Sequence, residues 1–182
     1  MDKIHAKTLL YAYPSIKELL GQIDELMEKK ALASMTDFSP AVEQCEKIIE
    51  LTEQKKVLIK VYVTLKKVLM KFEGLDKTCI EYKYLRNKPK EYFKDFDFTT
   101  RAYFRRQNRI IKTLSTLLDK TEVNEQYFVE SCLKINFFRE LKKRVIEHEI
   151  LSNKNKPKYG VKSGVSDKTA NINAVREKNE VA

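Results

Sequence analysis

Arg101, Arg105, Asn108, Arg109 and Lys112 stand at spacings i, i+4, i+7, i+8 and i+11, which on a helix gathers four cations and one amide into a single arc. Tyr103, Phe104, Gln107, Ile110, Ile111, Leu114, Leu117 and Leu118 fall in the opposite arc, so one side is expected to pack and the other to meet solvent. A guanidinium grips guanine in bidentate fashion, an amide reads adenine and an ammonium meets phosphate, so this set of side chains suits a nucleic-acid duplex. Thr99 and Thr100, just upstream, add hydroxyls and the unpaired N–H groups of a helix N-terminus, both donors to backbone phosphate. A face charged only for solubility mixes its signs, yet no Asp or Glu occurs between Asp97 and Asp119. The whole chain carries a net charge of +10, and residues 77–120 hold 12 Lys and Arg against 5 Asp and Glu, while residues 1–76 are balanced at 12 against 12. A local positive field of this kind attracts a polyanion through counterion release.

Other chemistry has little support. The two histidines, His5 and His148, are far apart in the chain and lie in no recognisable motif. No glycine-rich phosphate loop, metal-spaced cluster or nucleophile elbow occurs. The expectation is no catalytic residue, no metal site, no cofactor and no enzymatic activity. Cys45, Cys79 and Cys132 are odd in number and form no CxxC pair, which predicts three reduced, half-buried thiols. No apolar run reaches the roughly 18 residues that a bilayer span needs, and the opening MDKIHAKTLLYAYP has no secretion-signal pattern. No membrane partner and a cytoplasmic place are expected.

The elements that must position the cationic arc read as helices. Only 4 Gly and 4 Pro interrupt 182 residues, which predicts an all-α protein. A first helix is expected from Tyr13-Pro14 to about Lys30, with Ile16, Leu19, Leu20, Ile23, Leu26 and Met27 on its apolar stripe. A second opens at Ser39-Pro40 and meets no breaker until Gly74, with Cys45, Ile48, Ile49 and Thr52, and then Leu58, Val61, Leu65 and Val68, on a helical period. Together they make a long N-terminal hairpin over residues 1–74. The second has apolar residues to spare, which fit either an intramolecular core or a dimer seam.

Asp76 is expected to cap a third helix that turns Ile80, Leu85 and either Tyr82 or Tyr84 inward. The stretch PKEYFKDF reads as a short helix, and Thr99 caps the next, from Thr100 to about Leu118, completing a unit over residues 75–120. Asn124 opens a closing helix within residues 121–151, with Phe128, Cys132, Ile135, Phe138, Leu141 and Val145 on one side. Residues 152–182 read as a flexible basic tail.

A short helix, a turn and a longer helix with cations near its start is the order of a helix-turn-helix. The stretch KDFDFTTRAYFRRQNRIIKTL resembles the helix-turn-helix of sigma factor region four, and the upstream IEYKYLRNKPKEYF resembles the helices that precede it. Phage-type late transcription activators with sigma-like ends are similar as well. On this resemblance Phe96 and Phe98 match the apolar positions flanking the turn, Thr99 the cap and Tyr103 the buried position of the recognition helix. Arg101, Arg105, Asn108 and Arg109 match its exposed positions. Phe93 stands where such motifs place a small residue at the helix crossing, and the N-terminal hairpin matches no part of a sigma factor.

The resemblance and the arc together imply a sequence-specific DNA-binding regulator of transcription, phage- or mobile-element-derived. Double-stranded DNA is its expected partner, with the hairpin serving RNA polymerase contact or homodimer formation. The alternative is a helical protein-interaction module whose basic aromatic segment meets an acidic protein surface. Unpaired RNA is a third partner, if aromatics such as Tyr82, Tyr92 and Phe104 stand exposed to stack on bases.

Overall fold

The structure, a computed structural model, describes residues 1–33, 41–85 and 99–154. The fold is all-α. Helix α1 spans Lys3–Ala33, α2 Ala41–Leu69, α3 Gly74–Ile80, α4 Thr100–Asp119, α5 Glu125–Glu130 and α6 Asn136–Lys154. A π-helical turn over Glu81–Leu85 prolongs α3, and a 3₁₀ turn over Cys132–Lys134 joins α5 to α6. No strand occurs among the described residues.

Helix α1 begins ten residues before the expected start, and Pro14 lies inside it. A proline in a helix interior costs about 3 kcal/mol, because it cannot donate to the carbonyl four residues back. Burial outweighs that cost. Ala6, Leu9, Leu10 and Ala12, all upstream of Pro14, are completely buried, and each buried leucine contributes roughly 1.5–3 kcal/mol. Asp2 fixes the start, its carboxylate accepting from the Ile4 N–H at 2.9 Å. Leu26, assigned to the apolar stripe, is exposed instead.

Helices α1 and α2 pack antiparallel: Tyr13 stacks on Tyr62 with ring centroids 5.2 Å apart, and further along α1 Asp24 pairs with Lys55, earlier on α2. Burial and the hydrogen bond with Tyr62 push the Tyr13 phenol up to about 12. Leu58, Val61, Leu65 and Val68 of α2 are in the core, as their period implies, whereas Cys45 and Ile49 are exposed. The rod is 29 residues, about 43 Å, and shorter than the uninterrupted stretch to Gly74. After Leu69 the chain turns, and Gly74 adopts a φ of 53°, a left-handed conformation that favours glycine. The Ser39-Pro40 start lies outside the described residues.

Beyond its contact with α2, α1 touches α4, α6 and the π-helical turn, so it runs through the middle of the core. The closing helix is divided, not continuous. Asn124 does cap its first part, accepting from the Tyr127 N–H at 3.0 Å, but Ser131 and the extended Ile135 interrupt it. Phe128, Cys132, Ile135, Phe138 and Val145 are buried all the same. The break lets Phe128 meet Phe138 edge to face at 6.3 Å and the His5 ring at 4.5 Å. Ser152 to Lys154 continue α6, and the rest of the expected tail lies outside the described residues.

Pro14 is exposed, so its replacement disturbs no packing and only restores a helical hydrogen bond. Pro14→Ala is expected to raise unfolding free energy by about 1–3 kcal/mol in urea titration. A loss of stability would contradict an unbroken α1.

Candidate nucleic-acid interface

Helix α4 forms as its sequence implies. Thr99 is the N-cap, its hydroxyl accepting from the Ala102 N–H at 3.2 Å, and the helix ends at Asp119, within one residue of expectation. Ile110, Ile111, Leu114 and Leu118 are buried against the bundle, where α4 meets α1, α2 and α3. With that edge fixed, Arg101, Arg105, Asn108, Arg109 and Lys112 are all exposed. Thr100 opens the helix, and its side chain lies outside the described residues, as do the short helix and turn read from PKEYFKDFDF.

Thr99, Arg101, Ala102, Arg105, Arg106 and Arg109 line a shallow concave surface of about 350 Å³. Arg106 lies outside the cationic arc. It enters because Asp76 of α3 reaches across: its Oδ1 accepts from Arg106 Nη1 at 2.7 Å and from Arg109 Nη2 at 2.8 Å, and its Oδ2 from Arg109 Nη2 at 3.1 Å. Asp76 therefore does not cap α3. It lies in the first turn, while Glu73 holds the cap position without a side-chain hydrogen bond. The acid absent from α4 is supplied by another helix, 33 positions upstream of Arg109. The two arginines share it unequally: the Arg109 side chain is 59% exposed and Arg106 22%, so Arg109 keeps donors toward solvent.

The cations also stand against the helix dipole. The first turn of α4 has no acid and its last turn no base, with Arg101 and Arg105 near the positive end and Asp119 at the negative end. A cation in the first turn, as Arg101 is, costs about 0.3–1 kcal/mol at low ionic strength, and the cost falls off by Arg105. The arrangement weakens α4 as a helix and strengthens the positive potential at its N-terminus.

One expectation for the packed side needs correction. Phe104 is 55% exposed, its ring edge-on to Tyr103 at 5.7 Å, because it sits at the margin of the apolar arc next to Arg105. Gln107 is buried as expected, with Oε1 accepting from Lys83. Burial and the nearby Lys7 charge hold the Lys83 ammonium below the usual lysine range. Of the three cysteines only Cys45 is exposed. Cys79 and Cys132 are buried, and burial pushes the Cys132 thiol up to about 12. His5 makes a structural contact, its Nδ1 lying 2.6 Å from Glu125 Oε1 and tying α1 to α5.

Comparison with protein-family models, curated proteins and solved structures finds no match. Among the described residues no helix is long and apolar enough to cross a membrane.

If Asp76 screens the arginines, removing its charge frees Arg109. Asp76→Asn is expected to elute from immobilised heparin at higher salt than the parent, and by more than Glu28→Gln, an equal charge change at an exposed position of α1. Equal shifts for both variants would show that Asp76 acts only through net charge.

Proposed function

We propose that this protein binds double-stranded DNA with α4 as its recognition helix and acts as a sequence-specific, non-enzymatic regulator of transcription in the cytoplasm. The observation that carries the reading is one face of α4. Arg101, Arg105, Asn108, Arg109 and Lys112 are exposed together while the opposite edge is locked into the core. Such a face fits the major groove, about 12 Å wide, with the guanidinium groups and the amide toward base edges and Lys112 toward phosphate. Thr99 at the cap and the free N–H groups of the first turn suit the phosphate backbone at the helix entrance. The resemblance to sigma factor region four, and the phage or mobile-element origin that it implies, belong to this proposal. So does the role of α1 and α2 in RNA polymerase contact or self-association.

The alternative, a basic aromatic surface for an acidic protein, is favoured by the exposed Phe104 beside Arg105. A solvent-facing ring adds affinity for an apolar side chain on a partner and adds little to phosphate contacts.

Duplex affinity is expected to fall steeply with added salt. Arg105→Ala with Arg109→Ala should lower it further and reduce the slope of log affinity against log salt by about one per arginine, with helical circular dichroism unchanged. A double variant that binds duplex as tightly as the parent would refute the DNA reading. Capture of an acidic protein that survives nuclease treatment would then support the alternative.

A further inference from the structure

Helix α2 turns Leu58, Val61, Leu65 and Val68 into the core, and on its opposite side Val42, Ile49 and Val63, with Met70 just past its end, stand in solvent. These four fall on a single heptad register with Lys56 at the intervening position, and Cys45, Thr52, Ile59 and Lys66 follow at the places three residues on. Positions spaced this way are the a and d positions of a coiled-coil seam. Scattered exposed apolar residues are ordinary on a protein surface. A seven-residue repeat kept along one helix, from Val42 at 70% exposure to Met70 at 69% just past its end, aligns the apolar residues on one side in two patches separated by Thr52 and Lys56.

The charges beside these patches are polarised. Residues 41–54 contain four Glu and one Lys, and residues 55–69 contain five Lys and no acid. Two copies laid parallel would set acid on acid and base on base along both halves. Laid antiparallel, each half faces its complement.

We propose that two copies of this chain associate through the outer face of α2, antiparallel, about a two-fold axis between residues 57 and 58. In that register Glu46 faces Lys67 of the second copy, Glu53 faces Lys60, and Cys45 sits opposite Met70. Sliding by one heptad sets Glu53 against its own counterpart in one direction and Lys60 against its own in the other. Lys60 already holds Glu122 at 2.9 Å while Lys67 acts on Glu122 only through its charge, so Lys67 is the freer of the two to meet Glu46 of the second copy. The pairing does not depend on DNA binding by α4.

Analytical ultracentrifugation of the full chain is expected to give twice the 21.4 kDa mass. Ile49→Asp with Val63→Asp should return the monomer with unchanged helical circular dichroism, because both positions are exposed. Glu46→Lys should weaken association by about tenfold or more, and Glu46→Lys with Lys67→Glu should restore it. Met70→Cys supplies a geometric check. Within one copy positions 45 and 70 are about 38 Å apart along α2, so a disulfide between them joins two copies. Cys79 and Cys132 are buried and take no part. In the Met70→Cys variant, a link under mild oxidation from Cys45 of one copy to the thiol introduced at position 70 of the other supports the antiparallel seam. A link between the two copies of Cys45, or a monomer at every concentration, overturns it without touching the duplex reading.

Discussion

Helix α1 buries Ala6, Leu9, Leu10, Ala12 and Ile16 completely, and α2, α4, α6 and the π-helical turn all lie against it. Its burial sets the places of the other helices. Its N-terminal turn is bound at two points to α5, where Glu125 accepts from the Asp2 N–H at 2.7 Å and meets the His5 ring, while the Ser115 hydroxyl of α4 donates to the Met1 carbonyl. These polar ties fix rotation and register more than they add stability, since a net hydrogen bond is worth only about 1 kcal/mol. The apolar stripe supplies most of the energy, and it keeps α4 from rolling so that its arginines face outward.

What the sequence shows and what it hides divide along one physical line. Features decided within a turn or two of helix were legible: the Thr99 and Asn124 caps, the two faces of α4, and the inward positions in the second half of α2. Features decided by contacts distant in the chain were not. Asp76 has the right type and place for a helix cap, and only the packing of α3 beside α4 makes it a bridge between Arg106 and Arg109. Pro14 is a sound local signal for a helix start, yet the burial of residues before it outweighs the lost hydrogen bond. Ile135 keeps the helical period of the closing segment and sits in the core, so the periodicity alone could not reveal that the helix stops there and restarts.

The Asp76 bridge bears on how strongly the cationic face can act. A carboxylate shared by two arginines at 2.7–2.8 Å neutralises part of the local field. The Asp76 side chain is 24% exposed, so the pairs are partly screened, and partly exposed ion pairs contribute about 1 kcal/mol or less. Contact with a polyanion replaces one acceptor with another while adding counterion release, which the internal pair cannot supply. Asp76 thus orients Arg106 and Arg109 in the free protein and competes for them with an external phosphate. Arg101 and Arg105 have no such restraint from Asp76.

A contrast between α2 and α4 shows why the same abundance of lysine and arginine means different things on the two helices. On α2 the acids lie toward the N-terminus and the lysines toward the C-terminus, the order that the helix dipole itself favours. Charge on α2 therefore stabilises its own helix, and any role in pairing comes in addition. On α4 the order is reversed, with Arg101 and Arg105 near the positive end and Asp119 closing the negative end. Helix propensity and solubility do not require that reversal, because cations further along α4 would serve both at lower cost. Bringing an anion to the N-terminus of α4 lets the dipole and the guanidinium charges act on it together, turning the unfavourable arrangement in the free chain into attraction in a complex.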